Sequence, residues 1–122
     1  MSTENYYEAY WDVEANAAAG WTPSEGIVTR EERALFDRWL PAGTVCLDYG
    51  CGDGLRYGGM LRERGIDYCG FDVSAAAVEQ ARNRGLNVVT LQSSGRTSLA
   101  EASVDAAICF AVLEHLQEPQ QA

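Results

Sequence analysis

One segment constrains the fold of this chain more than any other: residues 44–54 read TVCLDYGCGDG. An apolar, β-prone run precedes an acidic residue and three glycines at alternate positions, which predicts a buried strand, a tight loop and then a helix. Glycine can adopt φ > 0 and, because it lacks Cβ, lets a ligand approach the main chain closely. In open α/β sheets, ligands bind where strands end and such loops begin, so this loop is the candidate binding site.

The spacing of these glycines argues against one large class of nucleotide-binding enzymes. A dinucleotide fingerprint, G-x-G-x-x-G, that starts at Gly50 needs a glycine at position 55. The chain has Leu55 there. We therefore do not expect an oxidoreductase that uses NAD or FAD.

Three stretches together resemble the motifs of a known family. Residues 47–54 (LDYGCGDG), 70–74 (GFDVS) and 104–116 (VDAAICFAVLEHL) follow one another in the chain. They are similar to the glycine motif, the acidic end of the second strand and the fourth strand of class I S-adenosylmethionine-dependent methyltransferases. The resemblance implies S-adenosylmethionine as cofactor. It also implies an α/β fold, a Rossmann-like doubly wound parallel sheet, truncated here after about the fourth strand.

The resemblance assigns several residues to the cofactor. Asp48 is expected to set the loop and face the ammonium end of the cofactor, and Gly50 and Gly52 are expected to allow close approach of the backbone. The other expected cofactor-binding residues are Tyr49, Cys51, Asp72, Val73, Ser94 and Phe110. No catalytic residue is assigned, because His115, the only histidine, is more typical of a structural residue at a helix start.

Asp72 directly follows the predicted second strand, residues 66–71, and its role has two interpretations. An acidic side chain at a strand tip can accept hydrogen bonds from both hydroxyls of a ribose, with Val73 against the adenine ring as the family implies. Alternatively, Asp72 is the N-cap of the next helix, but Ser74 already suits that position. Ribose binding is therefore the favoured role of Asp72.

The chain is expected to form one domain in two parts. Residues 1–43 form an N-terminal helical segment and lid, and residues 44–122 form the S-adenosylmethionine-binding α/β half-domain. Aromatic residues four apart, such as Tyr7 and Trp11, predict a helix in the first part. That helix either packs on the domain or covers the cofactor and the acceptor as a lid.

A second helix is predicted before the first strand. Thr29 and Glu32 have the spacing of a capping box that opens a helix ending at Leu40. Its apolar stripe is expected to combine two pairs, Leu35 with Trp39 and Phe36 with Leu40. In this helix, Arg30 or Arg33 offers a planar partner for the carboxylate of the cofactor, but a solvated or salt-bridged arginine is the favoured interpretation.

Composition limits the partners of the chain. The net charge is −9, and all nine basic residues are arginines. Such an acidic surface repels phosphate backbones, so we expect a small-molecule acceptor and no nucleic acid. The four cysteines form no C-x-x-C pair, which favours reduced structural thiols over a metal site. No apolar run of about 18 residues and no basic leader occur, so we expect no membrane association and a cytoplasmic location.

The sequence therefore predicts an S-adenosylmethionine-dependent methyltransferase acting on a small molecule. The alternative is a non-catalytic S-adenosylmethionine-binding or interaction module. A full domain of the family has seven strands, and nothing after residue 122 remains for the last three. We expect a fragment of a longer enzyme, a degenerate relative, or a domain completed by another chain or by a second copy in a homo-oligomer.

Overall fold

A computed structural model describes residues 8–18, 20, 28–92 and 95–110 of the chain. Within these residues the helices are α1 (Val13–Ala18), α2 (Arg30–Trp39), α3 (Gly58–Glu63) and α4 (Ala75–Asn83). The strands are β1 (Val45–Tyr49), β2 (Asp67–Asp72), β3 (Val88–Thr90) and β4 (Ala106–Ile108). No helix in these ranges has both the length and the apolar character needed to cross a membrane.

The strands form one parallel sheet in the order β3-β2-β1-β4. The sheet is Rossmann-like, as expected. β2 lies on one side of β1 and β4 on the other, so Asp48 of β1 pairs with Gly70 of β2 and with Ile108 of β4. The order of strands reverses at β1, and ligands of open α/β sheets bind in the crevice at such a switch point. The glycine loop leaves β1 at this place.

The two faces of the sheet carry separate apolar clusters, because successive residues of a strand point to opposite faces. One face packs against the helices through a core that includes Phe36, Tyr57, Leu61, Tyr68, Leu86 and Val88. The opposite face carries a smaller cluster of Tyr49, Cys69, Phe71 and Leu91. The helix-covered face therefore holds most of the described core.

Helix α2 begins at the predicted cap. The hydroxyl of Thr29 accepts a hydrogen bond from the backbone N–H of Glu32 at 3.1 Å. Phe36 is buried, but the second predicted pair is not: Leu35 is 50% exposed and Trp39 is 64% exposed. A helix turns by about 100° per residue, so Leu35 and Trp39, each one position before Phe36 and Leu40, point in another direction. Only the face with Phe36 and Leu40 reaches the core. The wide apolar stripe was thus a wrong prediction.

The two helices that follow β1 and β2 differ in how well their starts could be predicted. α3, the helix predicted after the glycine loop, begins at Gly58; before it, the backbone N–H of Leu55 donates to Oδ1 of Asp53 at 3.0 Å in a turn. α4 begins where expected, since the hydroxyl of Ser74 accepts from the N–H of Ala77 at 3.1 Å. Ser74 is the N-cap of α4, which leaves Asp72 without that role.

Candidate cofactor site

The glycine loop crosses the carboxyl end of β2 in a conformation that requires glycine. Gly50, Gly52 and Gly54 have φ values of +76°, +58° and +73°. These values lie in the left-handed region, which side chains with a Cβ rarely adopt. The N–H groups of Gly50 and Cys51 both donate to the carbonyl of Phe71, at 2.7 and 3.0 Å. The loop is therefore fixed to the strand that carries Asp72.

Asp72 is buried at the end of β2 and joins the loop to the start of α4. Its Oδ2 accepts from the N–H of Gly52 and its Oδ1 from the N–H of Ser74, both at 2.9 Å. Burial raises the pKa of the Asp72 carboxyl, and these two N–H donors oppose the rise. A carboxylate oxygen can accept more than one hydrogen bond, so Asp72 can hold the loop and still accept others; its contact with a ribose stays a prediction.

Asp48 lies at the end of β1 on the face that the helices cover. It is 2% exposed, and its Oδ2 accepts a hydrogen bond from the hydroxyl of Tyr68 at 2.5 Å. Burial raises the pKa of Asp48 to about 7, the bond from Tyr68 opposes this, and the charge of Asp72 adds to it. Asp48 is thus a buried carboxyl below the loop, and its contact with the ammonium end of the cofactor stays a prediction.

This burial makes Asp48 a source of pH-dependent stability. The carboxyl titrates near 3.8 in the unfolded chain and near 7 in the folded one, so its stabilising contribution is complete below about pH 4 and disappears as the pH rises through 7. We compare the free energy of unfolding of the wild type with that of Asp48→Asn. The difference, wild type minus variant, should fall by about 4 kcal/mol between pH 4 and 8. Urea unfolding at several pH values measures this difference.

Asp67→Asn is the matched control, because Asp67 is an exposed aspartate at the start of β2, the strand next to β1. Its unfolding free energy should run parallel to that of the wild type. Parallel curves for Asp48→Asn as well would contradict the raised pKa of Asp48.

Tyr49 and Val73 lie on the other face of the sheet. Tyr49 packs against Phe71 and Leu91, and Val73 contacts the same cluster at its edge. The hydroxyl of Tyr49 donates to the carbonyl of Gly95 at 2.9 Å, which ties the end of β1 to the loop after β3. Ser94, expected in that loop, and His115 lie outside the described residues.

Cys51 turns its side chain into the protein. A Cβ on Gly70 of β2 would lie 2.8 Å from the sulfur of Cys51, so the thiol fills the space above that glycine. Burial raises the pKa of this thiol, with further increases from the charges of Asp48 and Asp72. A contact of Cys51 with the cofactor would therefore come from its main chain.

Phe110 follows β4 and belongs to an aromatic group at the same edge of the sheet. Its ring centroid lies 4.8 Å from that of Tyr57 and 6.0 Å from that of Phe36. Phe110 thus stands on the β4 side of the switch point, while Asp72 stands on the β2 side. The predicted residues flank the loop from both directions.

Trp11 is a site residue that the assignment by motif missed. Its indole lies on the glycine loop: a Cβ at Gly52 would clash with Cζ2 of the ring and lie 2.8 Å from Cη2. Gln80 of α4 donates to the carbonyl of Trp11 at 2.8 Å. The aromatic spacing predicts Trp11 on an N-terminal helix, but the structure has it in a turn before α1, with its ring over Gly52.

Arg33, one of two arginines considered for the cofactor carboxylate, contacts helix α3. Nη1 of Arg33 lies 3.5 Å from the sulfur of Met60 on α3, so its guanidinium points toward that helix. Glu32, its neighbour, pairs with Arg56 at 2.7 Å, directly after the glycine loop. The position of Arg56 next to the glycine loop was the only feature of the sequence that pointed to it. Its partner on α2 could not be predicted from spacing.

Known proteins support the same fold and family. The sequence profile of a methyltransferase domain family matches residues 47–122. The structure is similar to a SAM-dependent methyltransferase from Aquifex aeolicus, with 27% identity and a TM-score of 0.66 over 90% of this chain and 62% of that one. It also matches a SAM-dependent methyltransferase from Thiobacillus denitrificans in complex with S-adenosyl-L-homocysteine, with 25% identity, a TM-score of 0.55, and coverage of 84% and 44%.

A third similarity concerns the fold alone. The [4+2]-cyclase SpnF is 23% identical, with a TM-score of 0.69 over 99% of this chain and 53% of that one. The chain thus spans between 44% and 62% of the length of these three structures. No curated protein matches it by sequence. The family profile covers more than half of the chain, and the site has the loop and the acidic strand end described above. The chain belongs to the class I S-adenosylmethionine-dependent methyltransferase family.

Proposed function

We propose that this chain binds S-adenosylmethionine at the glycine loop and takes part in transfer of its methyl group to a small molecule. The observation that carries the proposal is the connection between Gly52 and Asp72. One carboxylate holds the loop at 2.9 Å and keeps acceptor capacity for a ribose. The loop, in turn, has no Cβ at the position where a ligand would approach the main chain.

The chain supplies binding and orientation in this reaction. Bound S-adenosylmethionine provides an electrophilic methyl group, so no nucleophile of the protein is needed. Asp72 orients the ribose, and Gly50 and Gly52 let the backbone approach the cofactor. Tyr57 and Phe110 form an apolar wall on the β4 side, which helps to exclude water and to align the reactants.

A small and uncharged or cationic acceptor suits the charge of the chain. The net charge of −9 disfavours polyanions such as nucleic acids. None of the four cysteines, Cys46, Cys51, Cys69 and Cys109, forms a disulfide. Reduced thiols are the usual state in the cytoplasm, which supports the proposed location.

Residues 8–18 fit the role of a lid within the N-terminal part of the chain. They contact the rest of the protein through Trp11 on the loop and through Glu8, whose Oε1 accepts from the N–H of Ala76 at 3.3 Å. A cleft of about 510 Å³ separates this segment from α4. An open cleft beneath the segment favours a segment that can move away to admit the cofactor and then cover it.

The lid predicts that Trp11 reports cofactor binding. Binding of S-adenosylmethionine is expected to change tryptophan fluorescence, because the indole contacts Gly52, and Trp11→Phe should abolish most of that change. Trp11→Ala should weaken binding by about 1 kcal/mol through loss of an aromatic contact. Trp39→Phe is the control, since this tryptophan is 64% exposed on α2. A fluorescence change that persists in Trp11→Phe and vanishes in Trp39→Phe would reject the lid.

The proposed activity is tested by incubating the protein with S-adenosylmethionine and a set of small-molecule acceptors while S-adenosylhomocysteine is measured. Formation of this product that depends on an acceptor supports methyl transfer. The Asp72→Ala variant serves as the negative control. Tight cofactor binding with no turnover for any acceptor would favour the non-catalytic binding module instead.

A further inference from the structure

Helix α2 carries an exposed apolar pair. Three large apolar side chains are exposed in the described part of the chain, and two of them, Leu35 and Trp39, lie on α2. Residues four apart are neighbours on a helix surface, so these two side chains form one patch. Single exposed apolar residues are normal on a protein surface, whereas a contiguous apolar patch is typical of an interaction surface.

The other sides of α2 already have partners within the protein. Phe36 fills the core that faces the sheet. Ion pairs join Glu32 to Arg56 after the glycine loop and Asp37 to Arg64 at the end of α3. The apolar pair therefore lies on a side of α2 that these contacts leave uncovered.

This uncovered side, the outer face of α2, carries two unpaired charges next to the apolar pair. Its five residues are all exposed and, at about 100° per residue, span about 140° of the helix surface: Glu31, Ala34, Leu35, Arg38 and Trp39. The guanidinium of Arg38 lies over the Trp39 ring, with 4.9 Å to its centroid. Neither Glu31 nor Arg38 has an ion-pair partner in the described part of the chain.

The outer face of α2 is complementary to itself when two copies pack antiparallel. Glu31 lies in the first turn and Arg38 in the last turn. With a two-fold axis between residues 34 and 35, Glu31 of each copy faces Arg38 of the other, because a two-fold axis makes every contact occur twice. Leu35 then faces Ala34 of the other copy, and this small side chain allows the helices to approach closely.

The charge of α2 favours a second copy over other partners. The helix has three arginines and three acidic residues, although the whole chain has a net charge of −9. A strongly basic or acidic partner therefore finds no net charge on α2, whereas a second copy finds opposite charges in register. The repulsion between two acidic chains is screened beyond about 8 Å at physiological salt.

We propose that the outer face of α2 is a contact surface between two copies of this chain, packed antiparallel about a two-fold axis. The contact is small, because a helix of 10 residues is about 15 Å long. Interfaces that bury less than about 1,200 Å² in total belong to weak, transient complexes. We expect monomers at about 10 µM and dimers at about 1 mM in sedimentation velocity.

The test exchanges the two charges. Glu31→Arg and Arg38→Glu each place like charges opposite one another twice, so each variant alone should dimerise about tenfold more weakly or worse. The double variant with both changes restores the two ion pairs, and so does an equimolar mixture of the two single variants. Both samples should dimerise within about threefold of the wild type.

Two further variants complete the test. Glu63→Arg is the matched control, because Glu63 is an exposed glutamate on α3, and this variant should dimerise as the wild type does. Leu35→Lys keeps Glu31 and Arg38 and should stay monomeric at about 1 mM. It decides the question if the charge variants do not fold by circular dichroism.

Three results would overturn the proposal. The first is a folded wild type that stays monomeric at about 1 mM, as expected if another protein or another segment covers α2. The second is a dimer that survives Leu35→Lys unchanged. The third is a failure of both the double variant and the mixture to recover association that the single variants have lost.

Discussion

Replacing Gly52 by valine is expected to abolish measurable binding of S-adenosylmethionine, a loss of at least about 3 kcal/mol or more than a hundredfold. Gly52 has φ of +58°, a region that a β-branched residue strongly avoids. A Cβ there would also collide with the indole of Trp11. The valine would therefore distort the loop and displace Trp11 from it, so the proposed cofactor site would not form.

Two glycine controls separate these effects. Gly43 also has a positive φ, +88°, but a Cβ there would meet nothing within 4 Å, so Gly43→Val should reduce stability and leave cofactor affinity unchanged. Gly59 is open, has no positive φ and lies in α3, so Gly59→Ala should leave cofactor affinity unchanged and raise stability by up to about 1 kcal/mol, because alanine favours a helix more than glycine does. Titration of each variant with S-adenosylmethionine, next to its thermal unfolding, makes the comparison. Wild-type affinity in Gly52→Val would refute the close approach of the cofactor to this loop.

Replacing Asp72 by alanine is expected to have the second largest effect, and it should act on binding and stability together. Loss of the carboxylate removes charge-assisted hydrogen bonds to the ribose, which reduces affinity by about 1.5 to 3 kcal/mol. It also leaves the buried N–H groups of Gly52 and Ser74 without their acceptor. We expect a loss of about 1 to 3 kcal/mol in the free energy of unfolding for each N–H that stays unpaired.

The control for Asp72→Ala is Asp67→Ala. Asp67 is exposed at the first position of the same strand, at the end far from the loop. It should keep both the affinity and the stability of the wild type. Unchanged affinity in Asp72→Ala, measured on protein that is folded at the temperature of the titration, would reject the ribose role of Asp72.

Local patterns in the sequence predicted the elements whose formation depends on neighbours in the chain. Thr29 and Ser74 cap their helices as expected, since each accepts a hydrogen bond from the N–H three positions later. The strand before the glycine loop and the acidic end of β2 also lie where the motifs indicated. Spacing captures such features because the contacts that fix them are only a few residues apart.

Contacts between distant residues could not be predicted in the same way. Glu32 has the spacing of a capping box, but its side chain pairs with Arg56 from another part of the chain. Trp11 was expected on a helix, yet nothing in its spacing indicates that its ring covers Gly52. The exposure of Trp39 likewise depends on which side of α2 the sheet occupies. The motifs therefore predicted the glycine loop and Asp72. The contacts that distant residues make at the candidate site are known only from the structure.

The most direct measurement is a calorimetric titration of the chain with S-adenosylmethionine and S-adenosylhomocysteine, with NAD as a control. The glycine loop, the carboxylate of Asp72 and the absence of a glycine at Leu55 predict that the first two bind at one site per chain and that NAD does not. Gly52→Val should remove the signal of both ligands. A folded chain that binds neither, or that binds NAD as well as S-adenosylmethionine, would contradict the assignment of this loop as the S-adenosylmethionine site.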